Sequence, residues 1–319
     1  ISITGAAGYD SIITDTGNDT LSFGFGIGIV TNTTVNSGTG DDIMTFGSTV
    51  TSSTITGNEG VDSMTFTGAA QSDVINGGTG NDTMTFGSTV TSSTVTGDEG
   101  VDSMTFTGAA QSDVISGGTG TDTLTFGSTV TSSTVNGNED ADSMTFTGAV
   151  ASTTITGGTG SDVITFQSTV ANSSIDGSEG LDVITFQAAA TNTTVNGGVD
   201  SDSDTITIVD SVENSLTILG FTPAKDILRL GGNVAVTAGT VLAPPADVAH
   251  TIIFDTIAHL GTLGLLIGNV TRQYPIHYAV ASDTGQVFYD ADGNWTAGSV
   301  QVVTVGVVSG LAAADFRVA

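Results

Sequence analysis

Residues 77–106 read GGTGNDTMTFGSTVTSSTVTGDEGVDSMTF, and the phrase x-D-x-Met-Thr-Phe returns after twenty residues. The same period runs over roughly 37–200. Phenylalanine recurs at Phe46, Phe66, Phe86, Phe106, Phe126, Phe146, Phe166 and Phe186. Two residues before each stands Met, Leu or Ile, from Met44 to Ile184, and between them runs an unbroken threonine column from Thr45 to Thr185. Eleven residues after each large aliphatic comes another, Ile75 after Met64 and Val95 after Met84. A strand points alternate residues to opposite faces, so Met84 and Phe86 face one way and Thr83 and Thr85 the other. Twenty residues is too short for a helical hairpin repeat. It predicts one coil of a β-solenoid with two short strands and two turns, coils stacking about 4.8 Å apart and like residues stacking on like. Nine or ten such coils make a rod on the order of 45 Å long. A finer period of 40 alternates Gly-Gly-Thr-Gly turns (77–80, 117–120, 157–160) with forms such as Gly-Asn-Glu-Gly (57–60) and Gly-Asp-Glu-Gly (97–100), the mark of a duplicated two-coil unit.

The charge is as uneven as the pattern is regular. The 319 residues hold 33 Asp or Glu against 4 Lys or Arg, a formal net charge of -29. Every basic residue (Lys225, Arg229, Arg272, Arg317) lies beyond 224, and residues 1–202 hold 23 acids with nothing to oppose them. Charges of one sign at that density destabilise a compact state. A folded solenoid therefore requires external cations. The same charge excludes nucleic acid and anionic membrane as partners, both of which demand a basic surface. With no cysteine there is no disulfide or thiolate chemistry. No apolar run reaches the ~18 residues of a membrane span, and no signal peptide opens the chain, which starts at Ile1 as at a processed or incomplete N-terminus.

Each coil carries a Gly- and Asp-rich turn just before the Met-Thr-Phe strand: GGTGNDTMT (77–85), GDEGVDSMT (97–105), GGTGTDTLT (117–125), GGTGSDVIT (157–165). Calcium takes six to eight oxygens at about 2.3–2.6 Å. Glycines permit left-handed dihedrals and turn carbonyls inward, and an aspartate adds a carboxylate. These turns resemble the RTX nonapeptide G-G-x-G-x-D-x-U-x, the calcium-binding repeat of exported bacterial proteins. The resemblance implies an all-β fold: a right-handed parallel β-solenoid (RTX-like β-roll, about 20 residues per coil) over 1–202, then a smaller β-rich capping, secretion-signal and assembly domain over 203–319. It implies Ca2+ as cofactor, several ions in one file along one edge. The expected ligands are Asp42, Asp62, Asp82, Asp102, Asp122, Asp142, Asp162 and Asp182, with Gly78, Gly80, Gly118, Gly120, Gly158 and Gly160 shaping the turns. At the N-terminus GAAGYDSII (5–13) and TDTGNDTLS (14–22) stand nine apart, like tandem β-roll repeats, and add Asp10 and Asp19.

Departures qualify the pattern. Asp140 replaces the turn's second glycine in GNEDADSMT (137–145), so that site is expected to be distorted or empty. GGVDSDSDT (197–205) carries an insertion, and from about 203 the period stops. Asp73 and Asp113, in the opposite turn, are expected to be solvated turn residues rather than ligands. Beyond 203, DTITIVDSV (204–212) and LTILGFTPAKDILRL (216–230) read as strands, and 253–268 as a short helix or covering loop. Residues 277–319 resemble the C-terminal region of type I secretion substrates through Phe288, Tyr289, Asp290, Asp292, Gly293, Asn294 and the ending Asp315-Phe316. Asp290 to Asn294 read as a hairpin turn, lacking the terminal Glu of an EF-hand loop.

No catalytic constellation emerges. His250, His259 and His277 form no His-Glu-x-x-His, no Gly-x-Ser-x-Gly elbow occurs, and the acidic Gly-rich turns repel phosphate. The protein is expected to be no enzyme. The expectation is a secreted structural protein at the surface of a Gram-negative bacterium, passed by the type I machinery and self-assembling into a calcium-dependent layer or filament, with 203–319 touching a neighbouring subunit. Cell-surface polysaccharide stands as a further candidate partner. Two alternatives remain open: an ice-binding or adhesive calcium solenoid, and the calcium-binding export tail of a larger enzyme or toxin. The alternation of Thr79, Glu99, Thr119, Glu139, Thr159 and Glu179 breaks the flat array that ice would require at the turn.

Overall fold

The computed structural model describes residues 2–3, 7–24, 28–198 and 201–209, and beyond them strands within 216–219, 226–230, 234–238, 250–255, 278–281, 286–289, 300–305 and 316–318. The chain divides into two compact units, Ile1–Val163 and Ile164–Ala319. Among the described residues all regular structure is β.

In the first unit each coil contributes three strands. In one coil they are Thr83–Phe86, Val90–Thr91 and Thr94–Glu99. Each strand pairs in parallel with its equivalents twenty residues away: Met84 lies beside Met64 and Met104, Val90 beside Ala70 and Ala110, Val95 beside Ile75 and Ile115. The coil is thus three-sided, where the sequence reading expected two strands and two turns. The missed side is the two-residue strand inside GSTVTSST (87–94). Its single inward residue, Val or Ala, leaves no alternation to read.

The core is a stack of columns. Met44 to Met144, Phe46 to Phe146, Val50 to Val150 and Ile55 to Ile155 are all buried. Phenylalanine rings stack coil on coil with centroids 4.6–4.9 Å apart and planes within 10° of parallel. That spacing is the interstrand distance, so ring stacking and the backbone ladder reinforce one another. The threonine column beside it points outward, half-buried, as the alternation requires.

A second polar column closes the corner between the second and third faces. Asp73 and Asp113 are buried there, not solvated as expected. Asp73 accepts the Ser53 amide on Oδ1 and the Gln71 amide on Oδ2, each at 2.8 Å, and its own amide donates to Ser93 Oγ at 3.1 Å. Asp113 repeats these contacts with Ser93, Gln111 and Ser133. Serine or aspartate at this position supplies the acceptor that a tightly turned backbone otherwise lacks.

In the second unit the coil pattern continues past 203 at a longer spacing. Val183–Phe186 pairs in parallel with Thr205–Ile208, then Ile227–Leu230, then Phe316–Val318. The period stretches to 22 rather than stopping. Further on, Gln286–Tyr289 pairs antiparallel with both Tyr278–Ala281 and Val300–Val305. The expected turn at Asp290 to Asn294 lies outside the described residues, but the strands flanking it form the antiparallel pair a hairpin requires. His250 begins the strand His250–Asp255 where a helix or covering loop was expected from 253. Residues 256–277, with His259, His277 and Arg272, lie outside the description, as do Lys225 and Trp295.

Candidate metal centre

The glycine turns fall at the corner between the third face and the first, and the aspartate of each turn points into the solenoid. Asp42, Asp62, Asp82, Asp102, Asp122, Asp142, Asp162 and Asp182 are all buried. In the first unit they form one ladder. The amide of each donates to Oδ1 of the aspartate one coil later: Asp19 to Asp42, Asp42 to Asp62, Asp62 to Asp82, and so on to Asp142 to Asp162, at 2.7–2.8 Å. One oxygen of each carboxylate is therefore committed to the backbone.

The other oxygen is not. Oδ2 of Asp42, Asp62, Asp82, Asp102, Asp122 and Asp142 is buried with no hydrogen-bond partner. A buried anionic oxygen without a partner costs several kcal/mol on the order of magnitude unless a cation meets it. Its surroundings are shaped by the first glycine of each turn. A Cβ on Gly77 would lie 2.5 Å from Asp82 Oδ2 and 2.6 Å from the Gly97 carbonyl oxygen, so only glycine leaves these two oxygens facing open space. Gly57, Gly97, Gly117 and Gly137 repeat the arrangement. Among the described residues no three His, Cys, Asp or Glu side chains gather to hold a metal. A bound ion must therefore take one carboxylate per coil and complete its shell from main-chain carbonyls, a hard-oxygen donor set that suits calcium and excludes soft-metal chemistry. The residues present fit the ion.

Gly78 and Gly80 act differently. Both have left-handed dihedrals (φ 116° and 131°), and a Cβ on either would strike a carbonyl oxygen of the preceding coil, that of Asn58 or Gly60. Gly118, Gly120, Gly158 and Gly160 do the same. The period of 40 has a backbone counterpart here. Asn58, Asp98 and Asn138 occupy the equivalent place in alternate coils at φ 77–88°, nearer the left-handed region that Asn and Asp enter more readily than other side chains, and the glycine coils sit between them.

Burial pushes the ladder carboxyls from Asp62 to Asp162 up. Asp62, Asp82, Asp102 and Asp122 rise to about 6, chiefly because the charged form is desolvated, against which the backbone hydrogen bond to Oδ1 pulls down. Asp142 rises to about 7, where burial is joined by the charges of Asp122, Asp162 and Asp140. Asp162 is raised by burial as well. Protons and calcium therefore compete for the same oxygens.

Placement divides the expected residues. Asp19 joins the ladder, whereas Asp10 does not. Ser11 pairs with Thr34, which puts Asp10 in the column of Thr33, Ser53 and Asp73, and it is exposed. Nine residues carry the chain from one corner to the next, so the second half-repeat meets a different corner. The turn at 137–145 changes where Asp140 stands, at φ 74° against 111–139° for the equivalent glycines from Gly60 to Gly180, while the hydrogen bonds on both sides of Asp142 keep their 2.7 Å length. Asp204 and Asp226 extend the pattern in the second unit. The Asp182 amide donates to Asp204 Oδ1 at 3.0 Å and the Asp204 amide to Asp226 Oδ1 at 3.1 Å. Their signal was an aspartate before an alternating apolar strand, DTITI (204–208) and DILRL (226–230), displaced from register by two residues. The first glycine of each turn was also passed over.

Comparison with known proteins agrees with this geometry. The family described as RTX calcium-binding nonapeptide repeat (4 copies) matches residues 2–30, 57–88 and 96–128. No curated protein matches the sequence. A solved structure, the X-ray crystal structure of a hyperactive, Ca2+-dependent, beta-helical antifreeze protein from an Antarctic bacterium, is similar in fold at a TM-score of 0.55 and 20% identity, over 77% of this chain and 88% of that one. The chain carries RTX calcium-binding nonapeptide repeats wound into a parallel β-solenoid of about 20 residues per coil, and Ca2+ is the ion those repeats bind.

Proposed function

We propose that this protein is a secreted structural element rather than an enzyme: a solenoid that calcium orders and that then self-assembles into a layer or filament outside the cell, reached by type I export. One observation carries the reading. Between residues 37 and 163 every exposed carboxylate (Asp41, Glu59, Asp98, Glu99, Glu139, Asp140) lies in a glycine turn. The outward residues of the rest of each coil are uncharged, and the only acids there, Asp73 and Asp113, are buried. An ordinary soluble surface is roughly a quarter charged residues. Confining charge to the metal edge leaves broad neutral surface for contact once calcium has neutralised that edge.

The test is dynamic light scattering and negative-stain microscopy of the full chain in millimolar calcium and in chelator. Ordered polymers only with calcium support the reading, and monomers in both conditions contradict it. Ice is a second reading, favoured by the hydroxyl side chains of Ser63, Thr83, Ser103 and Thr123 standing in register beside the threonine column. Measurable thermal hysteresis by a monomeric, calcium-loaded protein would move it ahead.

A further inference from the structure

The first position of the metal turn is glycine in every coil from Gly57 to Gly197, but one coil earlier it is Ser37, and in the coil before that Thr14. Both of these side chains are buried, Ser37 completely. Their hydroxyls make the same contact one coil along. Ser37 Oγ donates to the Gly57 carbonyl oxygen at 2.9 Å, with the Thr56 carbonyl oxygen at 3.4 Å, and Thr14 Oγ1 donates to the Ser37 carbonyl. In the glycine coils the corresponding carbonyls, those of Gly77, Gly97, Gly117, Gly137 and Gly157, border the open space beside the carboxylate. A Cβ at this position closes on both the carboxylate and that carbonyl, and Ser37 carries a Cβ and a hydroxyl as well.

We infer that Ser37 and Thr14 end the calcium file at its N-terminal side. Their hydroxyls fill the room that the glycine coils leave for an ion, so Asp19 and Asp42 hold the backbone ladder without holding calcium, and the first ion meets Asp62. The donor set explains why. With one carboxylate per coil, an ion depends on main-chain carbonyls to complete its shell of six to eight oxygens. At Ser37 the side chain has taken both the space and one of those carbonyls. The carboxylate itself is untouched. Oδ1 of Asp42 accepts the Asp19 amide, and Oδ2 is buried with no hydrogen-bond partner, as in the glycine coils. This coil therefore bears the cost of an unmet carboxylate oxygen that the later coils relieve with an ion. It also keeps every other part of a calcium site, which makes the site latent: removing the Ser37 side chain restores it. The competing arrangement, in which the Ser37 hydroxyl is one more ligand to an ion at Asp42, predicts the opposite effect of removing it.

The experiment is equilibrium dialysis of the full chain against calcium at pH 7.5, with the bound metal counted by elemental analysis. The proteins are wild type, Ser37→Gly, Ser37→Gly with Asp42→Asn, and Gly77→Ser. Glycine is conservative for folding at position 37, since every later coil to Gly197 carries it there. Far-UV circular dichroism and the calcium-induced rise in melting temperature check each fold. The expected result is that Ser37→Gly binds one calcium more per chain than wild type, that adding Asp42→Asn returns the count to the wild-type value, and that Gly77→Ser binds one fewer. Where Gly77→Ser does not fold, the two Ser37→Gly proteins decide alone. A folded Ser37→Gly with an unchanged count overturns the inference. A lower count makes the hydroxyl a ligand and overturns it equally. A gain that survives Asp42→Asn places the added ion elsewhere and also overturns it. A wild type that binds no calcium overturns it together with the metal assignment on which it rests.

Discussion

The amide of Asp82 donates a 2.7 Å hydrogen bond to Oδ1 of Asp102, one coil along, while Oδ2 of Asp102 is buried with no hydrogen-bond partner. Half of the side chain holds two coils together, and the other half is placed to meet a cation. Asp102→Asn separates the roles. The amide oxygen keeps the Asp82 bond, and the nitrogen removes the buried charge. In chelator at pH 7.5 the variant is expected to be more stable than wild type by about 1–3 kcal/mol, the scale of an unmet buried polar group. In calcium it gains less than wild type. Urea denaturation of both proteins in both conditions measures the difference, and an equal calcium gain contradicts it.

Acidity should replace calcium in part. Asp62, Asp82, Asp102 and Asp122 have folded pKa values near 6, above the ordinary 3.8. A carboxyl with a raised folded pKa contributes its stability fully below pH ~3.8 and loses it as pH rises through ~6. Calcium-depleted protein is therefore expected to melt at higher temperature at pH 5 than at pH 7.5. Calcium-loaded protein is expected to show the reverse, because protons displace the ion. A thermal melt of depleted protein that is flat or inverted between these pH values contradicts the assignment.

Asp140→Gly is expected to stabilise the calcium-free protein by about 1 kcal/mol. Glycine takes the left-handed conformation that Asp140 holds at φ 74° at lower cost, and the substitution removes a charge that helps push Asp142 up to about 7. Urea midpoints in chelator report it. An unchanged or lower midpoint shows that Asp140 makes a compensating contact.

Gly77→Ala tests the open space beside the carboxylate. The new methyl falls 2.5 Å from Asp82 Oδ2 and 2.6 Å from the Gly97 carbonyl oxygen, so one of them must move. The expected outcome is a large loss of calcium-dependent stability, with Gln71→Ala on an exposed position as a near-neutral control within about 0.5 kcal/mol. Isothermal calorimetry is expected to show at least one calcium site fewer. Unchanged stoichiometry and stability contradict the role given to this glycine.

Much of this was legible in the sequence because the solenoid writes each column at a fixed interval. Phe86 above Phe66 and Asp82 above Asp62 need only counting. What escaped lies where the interval or the alternation fails. Val90–Thr91 is too short to alternate, so the third side of the coil read as turn. Asp204 and Asp226 slipped because two extra residues per coil shift them out of phase. Asp73 looked solvated because its neighbours are polar, although the column of Ser53, Ser93 and Ser133 around it marks a place where the backbone demands a side-chain acceptor. Gly77 escaped too, because its importance lies in space left for another residue's oxygen, a relation that only the folded coil displays.

Calcium meeting the buried oxygens of the ladder is what is expected to hold the solenoid folded. Its most direct test is a calcium titration of metal-depleted protein at pH 7.5, followed in parallel by far-UV circular dichroism and calorimetry. The expected result is weak β signal without metal, a cooperative gain of β structure on addition, and binding of several ions per chain over the same concentration range. An identical spectrum and melting temperature in excess chelator and in 10 mM calcium would contradict it.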